Sequence, residues 1–185
     1  MKEGVQLSCD ILARYFILIV TGILNVQIFY FFFSALTIYP VYYLLKLLFN
    51  VTISANVLLV QNLPIEIIGP CIAGSAYYLL LILNLSTPKI KFARRIFSLI
   101  FSFAMLLIIN ILRIFLLSVL LISGSSFFDI THKLIWVVGS VVFVVGVWFL
   151  TVKLFKIKEI PFYSDIMSLL YHSKEHKETK RRKKH

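Results

Sequence analysis

Acid is scarce in this chain: eight Asp and Glu stand against nineteen Lys and Arg in 185 residues. Cysteine is scarcer still, with only Cys9 and Cys71, too few for a disulfide framework. No glycine-rich phosphate loop and no serine-nucleophile motif is present. The histidines of the far C-terminus, His172, His176 and His185, stand in a charged tail without cysteine or carboxylate spacing to make a metal site. No polar stretch is long enough for a separate soluble domain. These absences remove nucleotide-binding, metal-dependent and disulfide-scaffold readings, and no cofactor is called for. What is abundant is apolar: 60% of residues are hydrophobic and 15% charged, the composition of an integral membrane protein.

The net charge of +11 resembles a nucleic-acid footprint until its distribution is read. The basic residues flank apolar runs or gather in the tail (Lys174 to Lys184), which is the positive-inside pattern of a cytoplasmic face. A basic tail beside a membrane meets anionic lipid headgroups, and no nucleic-acid partner is expected. Glu3 and Asp10 interrupt the positive region that a cleaved signal peptide requires, so a retained signal anchor is expected.

Four stretches are predicted to cross a bilayer core of about 30 Å, which takes roughly 17–25 helical residues. They run from Ile11 to Leu36, from Cys71 to before Pro88, from Ile96 to Ser123 and from His132 to Val152. The loop Pro88–Arg95 carries four basic residues and no acid, and Lys153, Lys156 and Lys158 follow the last span. Both are placed in the cytoplasm, and the two crossings between them agree in parity. With Lys2, Arg14 and the tail also inside, only Lys46, Arg113 and Lys133 of the nineteen basic residues lie elsewhere. The expectation is a multi-pass plasma-membrane protein with both termini cytoplasmic, residues 1–152 embedded and 153–185 a basic tail.

Thr37 to Asn50 holds Pro40, three tyrosines and Lys46, and reads as an interfacial helix lying at the outer headgroups. From Val51 to Ile68 the pattern changes to alternation, broken by the turn residues Gln61-Asn62-Leu63-Pro64. A small outer β-hairpin is expected there, delivering the chain through Gly69-Pro70 into Cys71. The fold class is thus an all-α membrane helix bundle of about four transmembrane helices, with an outer interfacial helix and a small outer β-hairpin.

Three residues carry the chemistry. Cys71, just after a proline that suits a helix start, is expected in the first turn of the second span, where free N–H groups favour thiolate over thiol. Its alternative is a small buried hydrophobe. Arg113 follows seventeen uncharged residues, Ile96 to Leu112, and lies roughly 26 Å above the inner end of its span at 1.5 Å per residue. An ionised residue at that depth marks a functional site, or else snorkels to headgroups. Asn110 shares its helix face. His132 opens the fourth span, and an imidazole there accepts a thiol proton and returns it to a leaving group. Asp129 either orients His132 or caps the helix.

Together the outer helix, the hairpin with Ile65-Glu66-Ile67 leading into Cys71, the Asn110-Ile-Leu-Arg113-Ile114 element and His132 resemble the exosortase/archaeosortase family of membrane-embedded cysteine transpeptidases. The resemblance covers roughly Leu36 to Val152. It implies a catalytic triad of Cys71, Arg113 and His132, in a family whose third residue is arginine or histidine. The family's Cys-Ser/Thr-Gly element is replaced here by Cys71-Ile72-Ala73-Gly74-Ser75, which places the chain in a divergent branch resembling the smaller archaeal forms. The resemblance further implies partners: exported, membrane-tethered proteins with a C-terminal sorting signal, and membrane lipids as acceptors. A non-catalytic assembly protein and a small transporter subunit are the alternatives. Against the transporter, no inverted repeat is visible and the polar residues cluster at one face.

Overall fold

The computed structural model describes residues 2–23, 27–88 and 90–157, with side chains from Ile11 onward except Val137. The tail from Lys158 and the side chain of Cys9 lie outside the described residues. The chain is mostly helical, with one small sheet. Helix α1 spans Lys2–Ile23 and α2 Gln27–Lys46. Strands β1 (Val51–Ser54), β2 (Val57–Val60) and β3 (Leu63–Glu66) follow. Then come α3 (Gly69–Ile72), α4 (Gly74–Leu85), α5 (Phe92–Ile122), α6 (Phe128–Leu134), a π-helical turn over Ile135–Gly139, and α7 (Ser140–Leu154). Helices α2 and α5 are long and apolar enough to cross a membrane; Ile11–Ile23, α4 and α7 are shorter apolar helices.

Long helix α5 is the axis of the molecule. At 31 residues and 1.5 Å each it is about 46 Å long. It buries Ser98, Ser102, Leu106, Asn110, Ile114 and Ser118, a strict four-residue step that keeps one narrow, partly polar stripe inward. Phe97, Ile100, Ile108, Leu112 and Leu116 are exposed. Polar and small residues inside with large apolar ones outside is the reverse of a soluble helix and the usual arrangement of helices packed in lipid.

The expected boundary at Thr37 does not exist. Residues 37–46 are the second half of α2, with Pro40 inside the helix. Proline removes one backbone hydrogen bond at a cost of about 3 kcal/mol. Val41 and Leu45, on the next turns, are fully buried against the sheet and α5, and such burial contributes about 2–3 kcal/mol per side chain. Packing therefore carries the helix through the proline. Arg14 of α1 meets the Leu85 carbonyl at the foot of α4, and Leu18 lies beside Tyr78. In α2, Phe33 stacks on Tyr77, and Val41 and Leu45 reach the cluster holding Ile72. Helices α1 and α2 thus climb in the same direction, antiparallel to α4. Gly22 permits this: a Cβ there would stand 2.6 Å from the Tyr78 hydroxyl.

The expected hairpin is a three-stranded antiparallel meander, ordered β1-β2-β3, with Val51 opposite Val60 and Leu58 opposite Ile65. Ala55-Asn56 makes a turn that the alternation concealed, and it needs a left-handed φ of 53° at Ala55. At the second turn Gln61 and Asn62 both have positive φ, the geometry of a tight two-residue hairpin. Leu58, Val60 and Ile67 face inward with Ile38, Val41 and Leu45. The sheet therefore roofs the end of the bundle that carries Cys71.

The opposite end is tied by arginine. Arg95 donates from Nη1 to the carbonyls of Asn84 (2.8 Å) and Leu85 (3.1 Å), and Arg14 donates to Leu85 (2.8 Å). Ser98 Oγ donates to Asn84 Oδ1 at 2.9 Å. These cations satisfy the last carbonyls of α4 and oppose the negative end of its dipole. Charge-assisted bonds of this kind contribute about 1.5–3 kcal/mol. Arg95→Ala is therefore expected to lower the detergent unfolding midpoint by the equivalent of about 2–3 kcal/mol, with Arg95→Lys recovering part of it.

Candidate functional site

Cys71 does not open a continuous helix. Gly69–Ile72 forms a single turn with Pro70 in its first positions, and Ala73 then adopts a left-handed conformation (φ 60°, ψ 37°) before α4 begins at Gly74. A non-glycine residue there costs about 1–2 kcal/mol. The break also takes the Cys71 carbonyl out of any continuing helical ladder. Asn110 Nδ2, on the inward stripe of α5, donates to it at 2.8 Å, and Nη2 of the half-buried Arg113 beside it at 3.3 Å. These two bonds supply what the backbone lost and account for the strain being tolerated. One turn of helix brings negligible macrodipole to the sulfur, so the positive charge beside Cys71 comes from Arg113, not from a helix N-terminus.

Arg113 lies on the same face as Asn110 and is half-buried, and its charge is within electrostatic reach of Cys71 and Tyr77. His132 does not open its helix either: α6 starts at Phe128, placing His132 a turn inside. Its ring stacks on Phe128 at 5.5 Å and 3°. Asp129 makes no hydrogen bond to His132 and no cap bond; Ser125 Oγ instead accepts from the Phe127 N–H at 3.3 Å. The π-helical turn at Ile135–Gly139 directly follows, a widening of the kind often found at functional sites.

Cys71, Arg113 and His132 line one cavity of about 380 Å³. Its walls are β3 and α3 on one side, the upper half of α5 on another, and α6 with the π-helical turn on the third. The lining is apolar apart from these three residues and Glu66 and Ser118, the setting in which a few polar groups act strongly. A second void of about 10 Å³, room for one water, touches Arg113, Asn110 and Ser140 on the inner side. Among the described residues no cluster of three or more His, Cys, Asp or Glu could hold a metal ion.

Sequence reasoning missed three contributors. Asn110 reads in the sequence as sharing a helix face with Arg113 and as part of the Asn110–Ile114 element, with no role of its own, yet it holds the Cys71 carbonyl. Ala73 carries the break that frees that carbonyl, and alanine gives no sign of a left-handed turn. Tyr77 is fully buried beneath the site, stacked on Phe33 at 3.8 Å with Phe103 edge-on at 5.5 Å. Among the described residues its hydroxyl and Thr37 Oγ1 are buried without a hydrogen-bond partner. An unmet buried hydroxyl costs about 1–3 kcal/mol, so Tyr77→Phe is expected to leave the unfolding midpoint unchanged or raise it. A drop in that midpoint would show that the phenol has a partner.

Compared with protein-family models, curated proteins and solved structures, the chain matches none.

Proposed function

We propose that this is a multi-pass membrane cysteine peptidase or transpeptidase of the exosortase/archaeosortase type, cleaving C-terminal sorting signals of exported proteins and passing the new C-terminus to a lipid acceptor. The observation that carries the reading is the single cavity lined by a free cysteine, an arginine and a histidine drawn from three separate elements. Exposed apolar faces on α2 and α5, and the concentration of basic residues at the end remote from Cys71, support a membrane setting with that end cytoplasmic. In this reading the four passages are α1–α2, α4, α5 and the α6–α7 unit. Helix α4 rises only about 18 Å over its 12 residues, less than the ~30 Å core, and in this reading the cavity opens toward the outer side beneath the sheet.

In the reaction, Cys71 Sγ attacks the scissile carbonyl while His132 takes the thiol proton. The C–S bond forms and the oxyanion is balanced by Arg113. His132 then protonates the departing amine as the C–N bond breaks, leaving a thioester. The acceptor hydroxyl or amine, or water, attacks that thioester and gives its proton to His132, and Cys71 is regenerated. Co-expression with exported proteins bearing candidate C-terminal signals tests the reading: processing should appear with the intact chain and vanish in Cys71→Ala. Membrane-impermeant labelling should reach Gln61→Cys and not the Lys89–Arg95 loop; the reverse would sink the shared outer face.

A further inference from the structure

Five consecutive residues, Pro64 to Ile68, line the cavity. A strand met face-on contributes alternate residues, because successive side chains point to opposite sides. Pro64 to Glu66 are consecutive residues of β3 and Ile67 and Ile68 continue the chain from its end, so the cavity runs along the edge of the strand rather than over one face. That edge is free: among the described residues β3 pairs only with β2.

The ladder fixes which backbone groups it presents. A two-residue hairpin closes on Val60 and Leu63, and the Ile67 N–H donates to the Asn56 carbonyl at 2.9 Å. Residues 63, 65 and 67 therefore spend their N–H and C=O groups on β2. Residues 64, 66 and 68 turn theirs outward. The open edge then carries the Pro64 carbonyl, the N–H and carbonyl of Glu66, and the Ile68 N–H. Proline stands where its missing donor costs the sheet nothing, as edge prolines do. From Ile68 the chain passes directly to Cys71, whose N–H is already bonded to the Ile68 carbonyl at 2.8 Å.

Charge adds a preference. Ile65 and Ile67 point to the apolar core, so Glu66 points to the opposite, outward face, where Asn56 Nδ2 donates to its carboxylate at 3.2 Å. A residue paired across from Glu66 shares that face, and a basic side chain there meets an opposite charge.

Resting on the peptidase reading, we propose that the substrate segment binds as an added β-strand on the free edge of β3. Its backbone bonds to residues 64, 66 and 68, a Lys or Arg stands opposite Glu66, and apolar residues on either side of it point into the cavity. Recognition is then largely of extended backbone, with specificity limited to the alternate side chains.

The test uses the full chain in detergent and acetyl-Val-Lys-Val-Ala-Gly vinyl sulfone, which alkylates Cys71 from the end of a short peptide. Rates are compared with those of iodoacetamide, which needs no strand. Single N-methylation along the peptide should slow labelling at alternate positions, by about five- to tenfold for each backbone bond lost. Glu66→Pro removes the outward N–H without touching the β2 ladder, and should slow the peptide by a similar factor while iodoacetamide is unaffected. Glu66→Ala keeps the backbone groups and should lose only the advantage of the lysine probe over its glutamate counterpart. Labelling that ignores N-methylation everywhere, or responds without a period of two, overturns the proposal. So does iodoacetamide labelling with no enhancement by the peptide. Periodic labelling without any processing of exported proteins would leave the edge as a peptide site and remove the acyl-transfer reading. Cys71-dependent processing with aperiodic labelling would do the opposite.

Discussion

Cys71→Ala is expected to reduce processing of a sorting-signal substrate to background, a loss of at least about a thousandfold, with the protein still folded and inserted. The size follows from the proposed role: without the thiolate there is no covalent intermediate, and a cavity with one arginine and one histidine provides binding but no acyl carrier. Stability should barely change. Cys71 is only partly buried, and its structural contact with α5 is through the backbone carbonyl, which alanine retains. Cys71→Ser is the sharper variant, because it keeps shape and hydrogen-bonding capacity and loses only nucleophilicity at neutral pH. It too should be inactive. The measurements are the ratio of processed to unprocessed substrate by immunoblot and the unfolding midpoint in detergent. Full processing by Cys71→Ala would leave the chain as an assembly or scaffold protein.

Arg113→Leu is expected to lower processing by about two to three orders of magnitude, the usual consequence of removing one oxyanion donor. Its second effect is structural and smaller. The Cys71 carbonyl keeps Asn110 at 2.8 Å and loses the longer bond from Arg113 at 3.3 Å, so the stability cost should be about 1 kcal/mol. Arg113→Lys separates the two roles. A lysine carries the charge but not the planar fork, and should recover stability more fully than activity. Measuring substrate turnover beside the unfolding midpoint reads both. Equal recovery of both by lysine would make Arg113 a support for the Cys71 loop alone.

Much of this organisation was legible in the sequence. The uncharged run from Ile96 to Leu112 announces α5, and its structure extends that helix by four residues to Phe92. Alternation after Val51 announces a sheet, and the run ending before Pro88 announces α4, which stops at Leu85. Thr37 reads as the start of a separate interfacial helix, Ala55-Asn56 as strand, Cys71 as the start of a long helix and His132 as the start of another. In the first case local propensity is outweighed by the burial of Val41 and Leu45 around Pro40, and at Cys71 by the bonds from Asn110 and Arg113, both contacts from residues distant in the chain.

By itself the sequence determined the apolar segments, the side of the bundle that gathers basic charge, and which three residues are chemically out of place. These are properties of composition and period, and they are local. Only the tertiary structure decided that Cys71, Arg113 and His132 share one cavity, that Ala73 breaks the helix between Cys71 and α4, and that the edge of β3 opens onto the site. The Cys71 carbonyl is captured by residues 39 and 42 positions away, a partnership that exists only once α5 has packed beside α3. Left-handed alanine is unfavourable alone, and it persists because those two distant donors satisfy the carbonyl that the break releases.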